Sequence, residues 1–233
     1  LTFYGGLIWA LSGFCAFTAT HKLGIARAFG IWAPLNILVS MIWGAVLFHE
    51  LVGSSLLNLV LLGVSLAVII AGALLIIFAK GSGEAVHDRK DLLAGLAGAV
   101  GAGVLWGTYF IPIKMTSVSL WAAALPLAAG IFAGSAALAL LAGQSPRLAS
   151  GSQYLRVSAT GLLWGIGNYG MLLLVGEIGA GKGFTISQLS VVVNGLIAVY
   201  WLKDPSPRSR AASLTLAGCV LATLGGIVLG NLK

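Results

Sequence analysis

Apolar residues run along this chain in stretches of about twenty, separated by short polar or glycine-containing joints. The stretches fall near 3–19, 27–48, 56–79, 92–113, 118–142, 157–176, 183–202 and 211–230. About 20 apolar residues in a helix cross a hydrocarbon core of about 30 Å. Lipid offers no partner to a free backbone N–H or C=O, and the alternating pattern of a barrel strand is absent. The pattern predicts an all-α integral membrane protein with about eight transmembrane helices here. One joint is longer and more polar than the rest. Residues 80–91 carry Gly-Ser-Gly and then mixed charge, a linker that divides three spans (1–79) from five (92–233).

An internal repeat supports that division. Displaced by 155 residues, Gly6, Leu7 and Trp9 fall on Gly161, Leu162 and Trp164 without a gap. In the same register Phe14 meets Tyr169, Gly24 meets Gly179, Arg27 meets Lys182, Phe29 meets Phe184 and Ile31 meets Ile186. Apolar matches between membrane helices are common by chance; the Trp, the Gly of the joint and the basic residue after it are not. Spans one to three therefore repeat as spans six to eight, displaced by five. An odd displacement reverses orientation across the membrane, and inverted repeats are a transporter signature. Spans four and five have no counterpart in the earlier part, and the chain opens on Leu1 and not on Met. The expectation is a ten-helix fold of two inverted five-helix repeats. Residues 1–79 would be the last three helices of the first repeat and 92–233 the complete second.

Composition adds sidedness. Apolar side chains make up 59% of the residues, only 8% are charged and the mean hydropathy is +1.03, where a soluble domain has roughly 25% charged. A net charge of +7 would suggest nucleic acid in a soluble protein, but the basic residues here sit singly in short joints. Their partner is the lipid bilayer, and no nucleic acid is expected. Ten of the 13 Lys and Arg residues lie on one side, after spans one, three, five and seven; Lys114, Lys182 and Lys233 lie on the other. The positive-inside rule makes the first side cytoplasmic, in a multi-pass protein of a bacterial or archaeal inner membrane. Cys15 and Cys219 both fall within apolar stretches, which argues against a disulfide or metal framework.

Two motifs suggest nucleotides and fail on context. Gly176 to Gly183 (GEIGAGKG) approaches a P-loop, but Gly183 stands where a Mg²⁺-binding hydroxyl is needed and no strand precedes it. Gly165-Ile-Gly167-Asn-Tyr-Gly170 spells a dinucleotide fingerprint inside a membrane span, where small residues serve close helix approach. The same packing role suits Gly103/Gly107, Gly130/Gly134 and Gly226/Gly230. The three His residues are too scattered for a metal set. No cofactor, no metal and no catalytic residues are expected, and the chain is not read as an enzyme.

Polar side chains inside spans are costly unless they face protein or water, so they mark candidate sites. Trp32, Asn36 and Ser40 share one face of span two, beside Pro34. Ser187, Ser190 and Asn194 form a similar stripe in span seven with Gln188 next to it, while Trp164, Asn168 and Tyr169 lie in span six and Trp106 and Tyr109 in span four. Amides both donate and accept hydrogen bonds, and Trp and Tyr rings offer flat apolar platforms, a combination suited to the hydroxyls and C–H face of a sugar. Trp32, Asn36, Trp106, Tyr109, Trp164, Asn168, Tyr169, Ser187, Gln188 and Asn194 are the substrate-binding candidates. The alternative is that they make interhelical hydrogen bonds and aromatic interface belts. Glu50 and Glu177 are the acids nearest a span and the candidates for proton coupling; Glu177 and Lys182 flank a joint across which they can pair. Gly30 and Gly183 are the expected places for spans two and seven to bend.

Three segments carry a more specific likeness. Leu23 to Glu50 (LGIARAFGIWAPLNILVSMIWGAVLFHE), Leu105 to Tyr109 (LWGTY) and Ile178 to Asp204 (IGAGKGFTISQLSVVVNGLIAVYWLKD) resemble the glucose/ribose porter family, the sugar-uptake branch of the drug/metabolite transporter superfamily. The resemblance covers essentially the whole chain, though through diffuse glycine and aromatic patterns. It implies ten helices in two inverted halves and uptake of a glucose-like sugar by alternating access, coupled to protons. Set against that resemblance, the chain is expected to lack the first two of the ten helices. The competing reading keeps the fold and makes the protein an exporter of amino acids, drugs or other metabolites.

Overall fold

The computed structural model describes residues 1–79, 89–116, 118–143, 147–148, 150–201, 203 and 206–232. Within these, the side chains at 25–27, 120–121, 191, 194, 198 and 230 are not described. Most of the linker expected at 80–91, residues 80–88, lies outside the described residues.

Every regular element among the described residues is helical: α1 (Thr2–Leu23), α2 (Ile25–Val46), α3 (Leu56–Phe78), α4 (Arg89–Trp106), the single turn α5 (Ile111–Lys114), α6 (Leu120–Leu141), α7 (Gly151–Ile178), α8 (Ala180–Ser187), α9 (Ser190–Leu196), a π-helical turn (Ile197–Trp201) and α10 (Arg210–Asn231). Seven stretches are long and apolar enough to cross a membrane, with α4 and α5 forming one of them (Arg89–Lys114). Ser55, Ser119 and Ser209 start α3, α6 and α10 by accepting from the N–H groups of Asn58, Ala122 and Ala212, which satisfies donors that a helix start leaves free.

The seventh expected span, 183–202, is not one helix. It breaks at Gln188–Leu189, between α8 and α9, and ends in the π-helical turn. The expected bend at Gly183 is not where the break falls: Gly183 is helical, and a Cβ there would collide with the Leu174 carbonyl. Gly30 likewise lies inside continuous helix, against the Phe78 ring. Both glycines serve close approach.

Glycine governs the packing, as expected where no hydrophobic force separates helix from lipid. A Cβ at Gly6 would strike the backbone of Leu127 and Ile131, and one at Gly130 the Phe3 carbonyl, so α1 and α6 touch backbone to backbone. Gly72 and Gly218 do the same for α3 and α10. Gly103 and Gly107 bring α4 onto α2 beside the carbonyls of Trp32 and Asn36. The glycines of α7 depart from this. Gly161, Gly165, Gly167 and Gly170 have open space where a Cβ would stand, so the packing role expected for 165–170 has no helix against it among the described residues.

The 155-residue displacement maps α2 (Ile25–Val46) onto 180–201, which spans α8 to the end of the π-helical turn. It carries Gly24, at φ 80°, onto Gly179, at φ 97°; each closes one helix and opens the next in a conformation that favours glycine. It also carries Pro34, which removes an N–H from the middle of α2, onto Leu189 at the break between α8 and α9.

Candidate functional site: a cavity and its closed end

A cavity of about 440 Å³ lies between α1, α2, α4, α7 and α8, within the range that holds small ligands. Eight of the ten substrate-binding candidates line it: Trp32, Asn36, Trp106, Tyr109, Trp164, Asn168, Ser187 and Gln188. Tyr169 is half-buried on α7 and is not part of the wall. The Asn194 side chain lies outside the described residues. Trp9, Phe29, Met171 and Phe184 also line it, and sequence reasoning did not single these out as site residues. The signal for three of them was in the repeat: Trp9 pairs with Trp164 and Phe29 with Phe184 in the 155-residue register, so a ring at one position argued for its mate.

The aromatic rings are in mutual contact. Trp9 and Trp164 lie 4.7 Å apart between centroids, and Trp32 and Trp106 meet edge to face at 5.5 Å. The Tyr109 hydroxyl donates to Asn168 Oδ1 at 2.8 Å, tying α7 to the segment between α4 and α5. That bond fixes the Asn168 amide by its oxygen. Among the described residues, no acidic or basic side chain lines the cavity.

Toward one end the cavity is shut in layers that follow α8. Gln188 and Ser187 face the cavity, and one turn back Phe184 stacks with Phe110 at 5.2 Å. Phe48 follows at 6.5 Å from Phe110, and Lys114 Nζ lies 4.4 Å from the Phe48 ring centre. At the start of α8 the Glu50 carboxylate, from the turn after α2, accepts from the N–H groups of Ala180 and, at 2.9 Å, Gly181. Lys114, at the end of α5, bridges to Glu50 at 2.5 Å. This one carboxylate therefore joins the ends of α2 and α5 to the start of α8. Burial of Glu50 alone would raise its pKa, but the Lys114 bond, the two N–H donors and the lysine charge outweigh it and hold the carboxyl below its usual range. The expected pairing of Lys182 with Glu177 is replaced: Lys182 Nζ donates to the Leu232 carbonyl at 2.9 Å, and Glu177 is exposed near the end of α7.

In the other direction a second, largely apolar space of about 630 Å³ shares Trp9, Phe29, Trp32 and Trp106 with the first. It runs along α1 past Phe17 and Thr20, toward the end where Lys22 pairs with Asp91 at 2.7 Å. The two ion pairs thus mark opposite ends of the bundle, as the span count requires: Glu50–Lys114 on the side poor in basic residues, Lys22–Asp91 on the rich side.

An uncharged, aromatic-walled cavity of this size in a helical membrane protein suits a small neutral solute. The chain is a member of the sugar transport protein family, whose family model, described as "Sugar transport protein", matches residues 1–232. A protein of Enterococcus faecalis named for sugar uptake is 27% identical over 233 residues, covering 99% of this chain and 78% of that protein. A Bacillus cereus protein with the name "Probable glucose uptake protein GlcU" is 25% identical over 232 residues, covering 98% and 77%. No solved structure matches the chain. The protein is accordingly a multi-pass sugar transporter of the bacterial cell membrane.

Proposed function

We propose that the protein takes up a glucose-like sugar, or a similar neutral polar metabolite, by alternating access, with proton coupling through Glu50. The observation that carries this reading is the cavity wall. Rings from Trp9, Trp32, Trp106 and Trp164 and amides from Asn36, Asn168 and Gln188 converge without a charged side chain among them. An amino acid brings two charges that such a wall leaves uncompensated, at high cost in a low-dielectric site; a pyranose brings hydroxyls and apolar C–H faces. The names of the bacterial relatives point the same way.

Alternating access is supported by the layered closure at the Glu50 end and the continuous space at the other, together with the matching positions of Gly24/Gly179 and Pro34/Leu189 in the two repeats. The helices of 1–79 and 92–233 interleave, α1 against α4 and α6 and α3 against α10, so rocking would move groups of helices drawn from both parts. Glu50 suits the coupling role better than Glu177 because its ionised form holds the closure together. A proton arriving from the basic-poor side can be taken up only as that closure parts, which links protonation to opening.

The test is uptake of radiolabelled glucose by vesicles containing the purified protein. Glucose should compete for uptake far better than amino acids. Changing Asn168, Gln188 and Asn194 together to Ala should lower kcat/KM about 30-fold or more, equivalent to about 2 kcal/mol, without loss of monodispersity in detergent. Unchanged uptake in that triple variant removes the proposed site; competition by amino acids and not by sugars removes the proposed substrate.

A further inference from the structure

The polar atoms of the cavity divide into those the protein satisfies and those it does not. Tyr109 and Asn168 satisfy each other. The Nε1–H of Trp43, further along α2, finds Thr108 Oγ1 at 3.0 Å. Trp106 Nε1 and Asn36 Oδ1 are buried and have no hydrogen-bond partner among the described residues. Asn36 is 5% exposed, and both residues line the cavity.

These two orphans are neighbours. Asn36 lies one turn beyond Trp32, whose ring meets that of Trp106 at 5.5 Å. Gly107, next to Trp106, sits directly against the Asn36 carbonyl, so the chain just after α4 approaches the α2 backbone closely there. One orphan is a donor that cannot accept; the other is an acceptor. Buried polar groups are nearly always paired, and an unpaired one is unfavourable enough to need an explanation. The complement of a donor beside an acceptor is a group that both accepts and donates. A hydroxyl does this, as water also can; an ether, a carbonyl or an ammonium does only one.

We infer that Trp106 and Asn36 are the specificity-determining pair of the cavity: a substrate hydroxyl accepts from Trp106 Nε1–H and donates to Asn36 Oδ1. This rests on the sugar reading and sharpens it, because it assigns recognition to one edge of the ring and leaves Asn168, held by Tyr109, a lesser part in choosing among sugars. A sugar lacking that hydroxyl leaves both atoms unpaired. Sites built to bond a hydroxyl reject the analogue without it far more strongly than apolar pockets reject a missing methylene.

The experiment is uptake of glucose and its 1-, 2-, 3-, 4- and 6-deoxy analogues by wild type, Trp106→Phe, Asn36→Leu and the double variant. Wild type should discriminate against one of these analogues, or two at adjacent positions, by about 30-fold or more in kcat/KM. Each single variant should lose glucose transport yet carry that same analogue nearly as wild type does, shrinking the ratio to about 3-fold or less. The double variant should be little worse than either single one, since both act on one group. If wild type carries glucose and every deoxy analogue alike, the pair reads no hydroxyl while the sugar reading stands. If the variants slow all sugars equally and the discrimination persists, the pair is structural and the inference is wrong. If wild type carries no sugar at all, both readings fall. Uniform transport across the wild-type series overturns the inference even where a variant does not fold.

Discussion

Glu50→Ala should abolish coupled uptake and lower the thermal stability of the purified protein by about 2 kcal/mol, or about 5 °C. Removal of the carboxylate leaves the Lys114 ammonium with its partner gone and the N–H groups of Ala180 and Gly181 without an acceptor at the start of α8. The Glu50 side chain is 15% exposed and that of Lys114 26%, so water replaces little of what is lost. Lys114→Met should cost less, because the carboxylate keeps two N–H donors. Glu50→Gln should fall between, since an amide oxygen can still accept from α8. The pH dependence has a definite sign. A carboxyl whose folded pKa is held below its usual value of 4.5 stabilises the fold fully above that value, and the contribution disappears as pH falls through the lower folded value. Melting curves of wild type and Glu50→Gln should therefore stay a constant distance apart from pH 8 to 5 and converge only below pH 4.5. In vesicles, Glu50→Gln should retain sugar exchange but lose its response to a proton gradient. A gradient response equal to that of wild type would remove Glu50 from the coupling mechanism.

The second large effect is expected at Gly130. A side chain there meets the Phe3 carbonyl oxygen and the Gly6 backbone, neither of which can rotate away, so valine must drive α1 from α6. Overpacking of this kind costs about 1–3 kcal/mol, and the rigid backbone on both sides puts this site at the upper end. Trp9 and the wall it forms with Trp164 move with α1, so uptake should be lost along with monodispersity. Gly165→Val on α7 is the control: its Cβ enters open space, and stability should change by no more than about 0.5 kcal/mol. Equal behaviour of the two variants would show that the α1–α6 contact is not the close approach described.

The helices and the site were legible in the sequence to different depths. Spans such as 56–79 could be read because lipid admits only long apolar helices, and α3 (Leu56–Phe78) follows. The polar stripes could be read because an amide such as Asn36 or Asn168 inside a span must face protein or water, and both line the cavity. The break in span seven could not be placed. Glycine is the usual cause of a bend, so Gly183 drew the expectation, yet α8 parts at Gln188–Leu189, where neither residue is a helix breaker. Only alignment with Pro34 through the repeat marks that position. The Glu50 closure was equally hidden. It joins residues 64 and 130 positions apart, and nothing local to Glu50, Lys114 or Ala180 tells which span ends meet in space.

The broken span has a consequence for biogenesis. Neither α8 nor α9 alone reaches across a bilayer, and the joint between them interrupts the regular ladder, with the Leu189 N–H turning to the Ile186 carbonyl. The segment 180–201 is thus poorly suited to leave the insertion machinery for lipid by itself, as α3 or α10 can. Its acceptors and walls lie on helices made earlier, chiefly the carboxylate after α2 and the backbone of α7. A chain halted during synthesis before α10 should hold this segment in the membrane only if Glu50 has already been delivered to the far side.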